Sequence, residues 1–352
     1  MTANQRKPYR WQKETGPRMH GSQPLNKSKV QAPGIARIPT GGFRLFYTAV
    51  GPGKPYRSCQ GYILSAVSED GLTFRPEPGI RLQPQPSLPH MSLRLLAPSV
   101  TQCADGRWRM YFEARGKADQ PTVICSAISD DMLDWNFEEG IRLQIRGNVR
   151  APRYLPLTDG RARLYCCGAE FPSGEPTNGQ PIAQGVISAL TSDGLNFELE
   201  PGYRLQSSDE NYETGSFSAA EVLAPTTADD PWIMFYSAWQ DVSPGTAVPM
   251  HPSQDVNAME NGLSDDFAAA SIATDMAGYR SRIFTAYSSD GLVWERGACV
   301  IEGSGYDGEE LDAVHAEDMS LVEIGNNKYR MYYAACDQNG NWCIASAVTH
   351  DP

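Results

Sequence analysis

No run in this sequence is long and apolar enough to cross a bilayer. No helical period separates its apolar stretches, which argues against a helical bundle and against an alternating α/β fold. A surplus of positive charge is also missing: 30 Lys and Arg stand against 42 Asp and Glu, a net charge of −12. That balance disfavours nucleic acid and anionic membrane surfaces as partners. The eight cysteines contain no C-x-x-C pair, which removes the usual zinc and dithiol motifs. Cys125, Cys166, Cys167, Cys336 and Cys343 fall in apolar strand-like runs and read as small buried hydrophobes. Met1–Pro8 has basic residues but no apolar core after them, so it does not read as a signal peptide, and the expected location is cytoplasmic.

What the sequence does contain is repetition. Ser68-Glu69-Asp70-Gly71-Leu72-Thr73-Phe74 returns as Ser129–Trp135, Thr191–Phe197 and Ser288–Trp294, and begins again at Thr349-His350-Asp351-Pro352. Each copy comes after an alternating apolar run and leads into a shorter one. Asp closes such a turn with its side chain, Gly takes the positive φ, and the aromatic packs into a core. A second element, Phe43–Tyr47, recurs as Trp108–Phe112, Ala162–Cys166, Trp232–Tyr236 and Tyr329–Tyr333. Ahead of each lies a run opening on Ala32-Pro33, Ala97-Pro98, Ala151-Pro152, Ala219-Ala220 or Ala316-Glu317.

Together these define five units of about 60 residues, each reading as four strands. The expected fold is all-β: a single five-bladed β-propeller over residues 1–352, with four-stranded antiparallel blades. The last unit lacks a fourth strand, and Tyr9–Glu14 with Gly16-Pro17-Arg18 resembles the segments after the other turns, such as Phe197–Arg204. The N-terminal strand is therefore expected to complete the last blade and remove its open edge. In this arrangement the loops entering each inner strand and those leaving each second strand share one rim, where a site belongs. The longest lies in the fourth unit, about 239–282, and reads as a lid or a decorative insertion, with a short helix at Asp265–Ile272 capped by Ser264.

The Ala-Pro runs, the Tyr-rich second strands and the Ser-x-Asp-Gly-Leu-x-Trp turns resemble the five-bladed propeller glycosidases. These are the arabinanases and xylosidases of glycoside hydrolase family 43, with their invertase, levansucrase and mannoside-phosphorylase relatives. The resemblance runs from about Val30 onward. It implies a base or nucleophile, a modulating Asp and a general acid Glu at the starts of successive inner strands. Here Ala32-Pro33-Gly34, Ala97-Pro98-Ser99 and Ala151-Pro152-Arg153 stand where the aspartates belong, so the acid set diverges.

The remaining candidates are Glu221 as proton donor, with Ser218 the stricter equivalent, and Asp318 or Glu113 as base. Since Glu317 and Asp318 are neighbours, only one is expected to face the channel. His315 resembles the family's channel histidine, which would orient a group or hold a single metal such as calcium. Arg153 and Arg115 read as a clamp for an anionic or hydroxyl-rich substrate, with Arg94, Glu170, Trp239 and Asp241 as further binding residues. Each has a structural alternative: Glu221 could pair with Arg153, Glu113 with Arg115, and His315 could be a satisfied core residue. The implied function is a carbohydrate-active enzyme of the glycoside hydrolase type, with a saccharide or small molecule as partner. A biosynthetic cyclase, lyase or isomerase on the same scaffold, or a non-catalytic sugar- or metabolite-binding propeller, are the alternatives.

Overall fold

In the computed structural model, described residues are 9–350 without 23–24, 27–28, 51–59, 118–119, 171–182, 208–215, 228, 242–278 and 326. Each repeat unit folds as an antiparallel meander. The first runs Lys29–Arg37, Phe43–Val50, Gly61–Ser68 and Arg75–Pro76, and the second Arg94–Gln102, Trp108–Arg115, Val123–Ser129 and Asn136–Phe137. The third runs Gly147–Pro156, Ala162–Glu170, Ala183–Thr191 and Glu198–Leu199, and the fourth Ser216–Leu223, Trp232–Asp241, Tyr279–Ser288 and Glu295–Ile301. The fifth has His315–Gly325, Lys328–Cys336 and Trp342–His350, and Arg10–Lys13 pairs antiparallel with the last of these. Among the described residues there is no α-helix, and no helix long and apolar enough to cross a membrane.

The turns form as their residues dictate. Asp70 Oδ1 accepts from the N–H groups of Leu72 and Thr73 at 2.8 Å each, and Ser68 Oγ from that of Gly71 at 2.9 Å. Asp131, Asp193 and Asp290 repeat this, and the backbone N–H groups of the turns hold all four carboxylates below their usual range. Gly71, Gly194 and Gly291 are left-handed at φ of 72 to 74°, while Met132 takes the same conformation at 64°.

Each turn then locks onto the preceding unit. Its aromatic sits edge-on against the second strand there: Trp135 on Phe46 at 5.8 Å, Phe197 on Tyr111 at 5.6 Å and Trp294 on Tyr165 at 6.3 Å. Phe74 of the first unit packs on Tyr332 of the fifth at 5.7 Å, and the Tyr332 hydroxyl donates to Gly71 O at 2.7 Å. Trp11, on the N-terminal strand, supplies the equivalent ring for the fifth unit and meets Phe235 of the fourth at 5.4 Å. Such ring pairs contribute about 0.5–1.5 kcal/mol each beyond area burial.

A clamp inside the units repeats as well. Arg44–Glu77, Arg109–Glu138 and Arg163–Glu200 join second strands to fourth at 2.9, 2.8 and 2.8 Å. Glu14 of the N-terminal segment completes a fourth copy, in the fifth unit, meeting Arg330 at 2.9 Å and accepting from Ser346 Oγ at 2.7 Å. The first strand of each unit packs against that of the next, and the fifth's against the first's, so the sheets close into a ring.

Candidate functional site

The Ala-Pro pairs do not precede the inner strands; they lie inside them, as β-bulges. Ala32 and Pro33 together face Tyr47, Ala97 and Pro98 face Phe112, and Ala151 and Pro152 face Cys166. The alanines are left-handed at φ of 47, 51 and 48°. In the fifth unit this place is filled by Asp318-Met319, with Asp318 at φ 54°, not by Ala316-Glu317 as the sequence suggested. In the fourth unit the extra residue is Ser218. Proline cannot donate to the ladder, so an extra residue ahead of it accommodates it within a strand. Where Met replaces Pro the motif is hidden.

The bulges are tied from unit to unit. The N–H of Ala97 donates to Thr48 Oγ1 at 2.9 Å, that of Ala151 to Glu113 Oε2 at 3.2 Å, and that of Asp318 to Ser237 Oγ at 3.2 Å. Glu113 is thus the counterpart of Thr48 and Ser237 on its second strand. Its other oxygen accepts from Arg115 Nε, so the pair foreseen as the structural alternative is formed. Both side chains are buried, which leaves little of this pair to meet a substrate.

One register row beyond the bulges places Gly34, Ser99, Arg153, Glu221 and Ser320 opposite Phe46, Tyr111, Tyr165, Phe235 and Tyr332. Arg153 lies at the centre. Its Nε donates to Met319 O at 3.2 Å, Nη1 to Pro152 O at 3.0 Å and Pro98 O at 3.4 Å, and Nη2 to Pro33 O at 3.1 Å and Met319 O at 3.0 Å. A guanidinium has five N–H donors, and all are spent on backbone carbonyls. The substrate-clamp reading of Arg153 therefore finds no free donor. Around it, Ser99 and Ser320 accept from the N–H groups of Tyr154 and Ile35 at 3.1 and 3.3 Å. A Cβ on Gly34 would stand 2.2 Å from Pro98 O, which requires glycine there.

Glu221 Oε2 lies 2.9 Å from Arg153 Nε. The contact is one of charge: this oxygen is buried without a hydrogen bond, because the guanidinium N–H bonds aim at carbonyls. The side chain keeps 19% of its surface exposed, and burial outweighs the arginine, pushing the carboxyl up to about 7. Asp318 is also raised, by burial first and by the negative charge of Glu317; Arg153 and Lys29 oppose this, while Glu113 adds to it. The simple alternation expected for Glu317 and Asp318 fails because the bulge interrupts it, and both are buried. Glu317 accepts a hydrogen bond from Trp239 Nε1, joining the fourth unit to the fifth.

The other candidates scatter. His315 Nδ1 is 3.1 Å from Ser281 Oγ, and its ring stacks on Trp342 at 5.3 Å, with Lys29 Nζ 3.9 Å from the same indole. No three His, Cys, Asp or Glu side chains among the described residues group as a metal site. Arg94 is 1% exposed and packs beside Gly61, away from solvent. Glu170 ends its strand opposite Gly147, close to Tyr203. Asp241 ends the second strand of the fourth unit and its side chain lies outside the described residues; of the stretch read as a lid, 239–241 and 279–282 belong to strands, and 242–278, with the short helix, lies outside the described residues. Asp312 is buried and holds Lys13 at 2.7 Å and the Tyr333 hydroxyl at 3.0 Å. Ser237 was missed altogether: it caps Asp318 N and meets Ser218 Oγ at 2.5 Å. Its signal was present, as it aligns with Thr48 and Glu113.

No protein-family model matches the chain, and no curated protein matches it. Solved structures do match. The β-1,2-mannobiose phosphorylase of Listeria innocua, in complex with β-1,2-mannobiose, has a TM-score of 0.65 at 12% identity, over 96% of each chain. A glycosyl hydrolase from Bacteroides ovatus gives 0.64 at 13% identity, over 98% of this chain and 94% of the other. A family 117 glycoside hydrolase from Zobellia galactanivorans gives 0.58 at 14%, over 97% and 90%. The fold is that of the glycosidase propellers; at these identities the likeness concerns the fold alone.

Proposed function

We propose that the chain is a carbohydrate-active enzyme of the glycoside hydrolase type, a single five-bladed propeller that cleaves a glycosidic bond at the axis. The observation that carries this reading is a pair of abnormal carboxyl groups, Glu221 and Asp318, on neighbouring inner strands around Arg153. Glu221, held near 7, is the proton donor to the leaving oxygen. Asp318, raised by burial and by Glu317 with Arg153 and Lys29 opposing, is the base or nucleophile in this reading. Glu113 is set aside because its oxygens are taken by Ala151 N and Arg115.

A saccharide ligand is supported by the mannobiose bound to the Listeria innocua structure. A pure binder has no use for two carboxyl groups lifted by burial, and a one-acid cyclase or isomerase no use for the second. Cytoplasmic residence belongs to the same proposal and is supported by free thiols at Cys103, Cys299 and the five buried cysteines. The test is turnover of a panel of nitrophenyl glycosides and short oligosaccharides, with and without inorganic phosphate. Glu221→Gln and Asp318→Asn are each expected to lower it by about 10²–10⁴-fold with folding intact. Wild-type turnover in either variant sinks the assignment of that residue.

A further inference from the structure

We propose that Arg153 is the positioning residue of this site: it stoppers the axis and fixes the four bulge carbonyls around which Glu221 and Asp318 are set. The inference rests on the reading of those two groups as the working pair. Three observations converge on it. The guanidinium reaches the inner strands of the first, second, third and fifth units through Pro33, Pro98, Pro152 and Met319, and that of the fourth through the charge of Glu221. The row around it is filled, since Gly34 already abuts Pro98 O and both serines are engaged across unit boundaries. Its side chain is 4% exposed, so the contacts are shielded from water.

The axis is closed at this level, so a ligand enters and its products leave by the same rim. The arginine also acts on the carboxyl pair, chiefly by charge: its contact with Glu221 opposes the upward push of burial without overcoming it, which leaves that carboxyl able to carry a proton. The other charged groups acting on the pair are Glu113, Glu317 and Lys29, with Arg150 anchored nearby on Phe217 O.

The experiment is carboxyl-carbon NMR of wild type, Arg153→Lys and Arg153→Met, with Glu221 and Asp318 resonances assigned through Glu221→Gln and Asp318→Asn. Loss of the charge in Arg153→Met is expected to move both titrations upward by about 1–3 pH units, and Arg153→Lys to restore most of the difference. Unmoved titrations in a folded Arg153→Met protein overturn the proposal. If that variant does not fold, the wild-type protein decides: the Arg153 guanidinium protons are expected to be resolved individually and to exchange slowly with solvent. A single averaged, fast-exchanging signal overturns it. Neither readout needs a substrate, so a normal turnover of Glu221→Gln would end the enzymatic reading and leave the arginine result standing.

Discussion

Glu221 illustrates how a residue can be visible in a sequence while its state is not. A glutamate inside an apolar inner strand is conspicuous, and its pairing with Arg153 could be foreseen. That every N–H of the arginine turns to a carbonyl could not, because three of the four acceptors lie on strands 55 to 166 residues away in the chain. The result has a signed pH dependence. A carboxyl raised from 4.5 to about 7 in the folded state stabilises the protein fully below 4.5, and that contribution is lost as pH rises through about 7. Glu221→Gln should therefore flatten the fall in melting temperature across this window, and a variant as steep as wild type would contradict the shift. On the proposed role of Glu221 as proton donor, turnover of the wild-type protein should decline above about pH 7 as that carboxyl loses its proton. Gly34 gives a purely steric prediction: Gly34→Ala should cost about 3 kcal/mol in denaturant unfolding, because the facing atom is backbone and cannot turn aside.

At the scale of the strand, the bulge decides which residues meet. The Ala-Pro repeat was legible, but its meaning was not: it marks a left-handed step inside the strand. Once the register is known, Asp318 takes the place of Ala32, Ala97 and Ala151, so a carboxylate sits on the fifth unit where the first three have alanine. A non-glycine residue in this conformation costs about 1–2 kcal/mol. Asp318→Gly is accordingly expected to match or exceed wild type in thermal stability while losing turnover, the mark of strain retained for chemistry. A large loss of stability in that variant would show the carboxylate to be structural. The turns were the easiest part to foresee, since Ser, Asp, Gly and the aromatic make their contacts within a few residues or on one neighbouring strand.

For the whole molecule, closure rests on residues from both ends of the chain. Trp11 and Glu14 stand in the fifth unit where Phe74 and Glu77 stand in the first, each making the same contacts as its counterpart. This was readable from the truncated last repeat. Trp11→Ala should cost about 2 kcal/mol and lower the melting temperature of the entire protein in one transition, as calorimetry can check. A separate early transition confined to the fifth unit would mean that the ring does not unfold as a whole. The pairing of Arg10–Lys13 with Trp342–His350 also carries a consequence for the chain as it is made. Its first strand leaves the ribosome well before its partner exists, at about 5–20 residues per second. For that interval, on the order of tens of seconds, a strand with an aromatic face waits unpaired, and the nascent protein depends on nothing else claiming it.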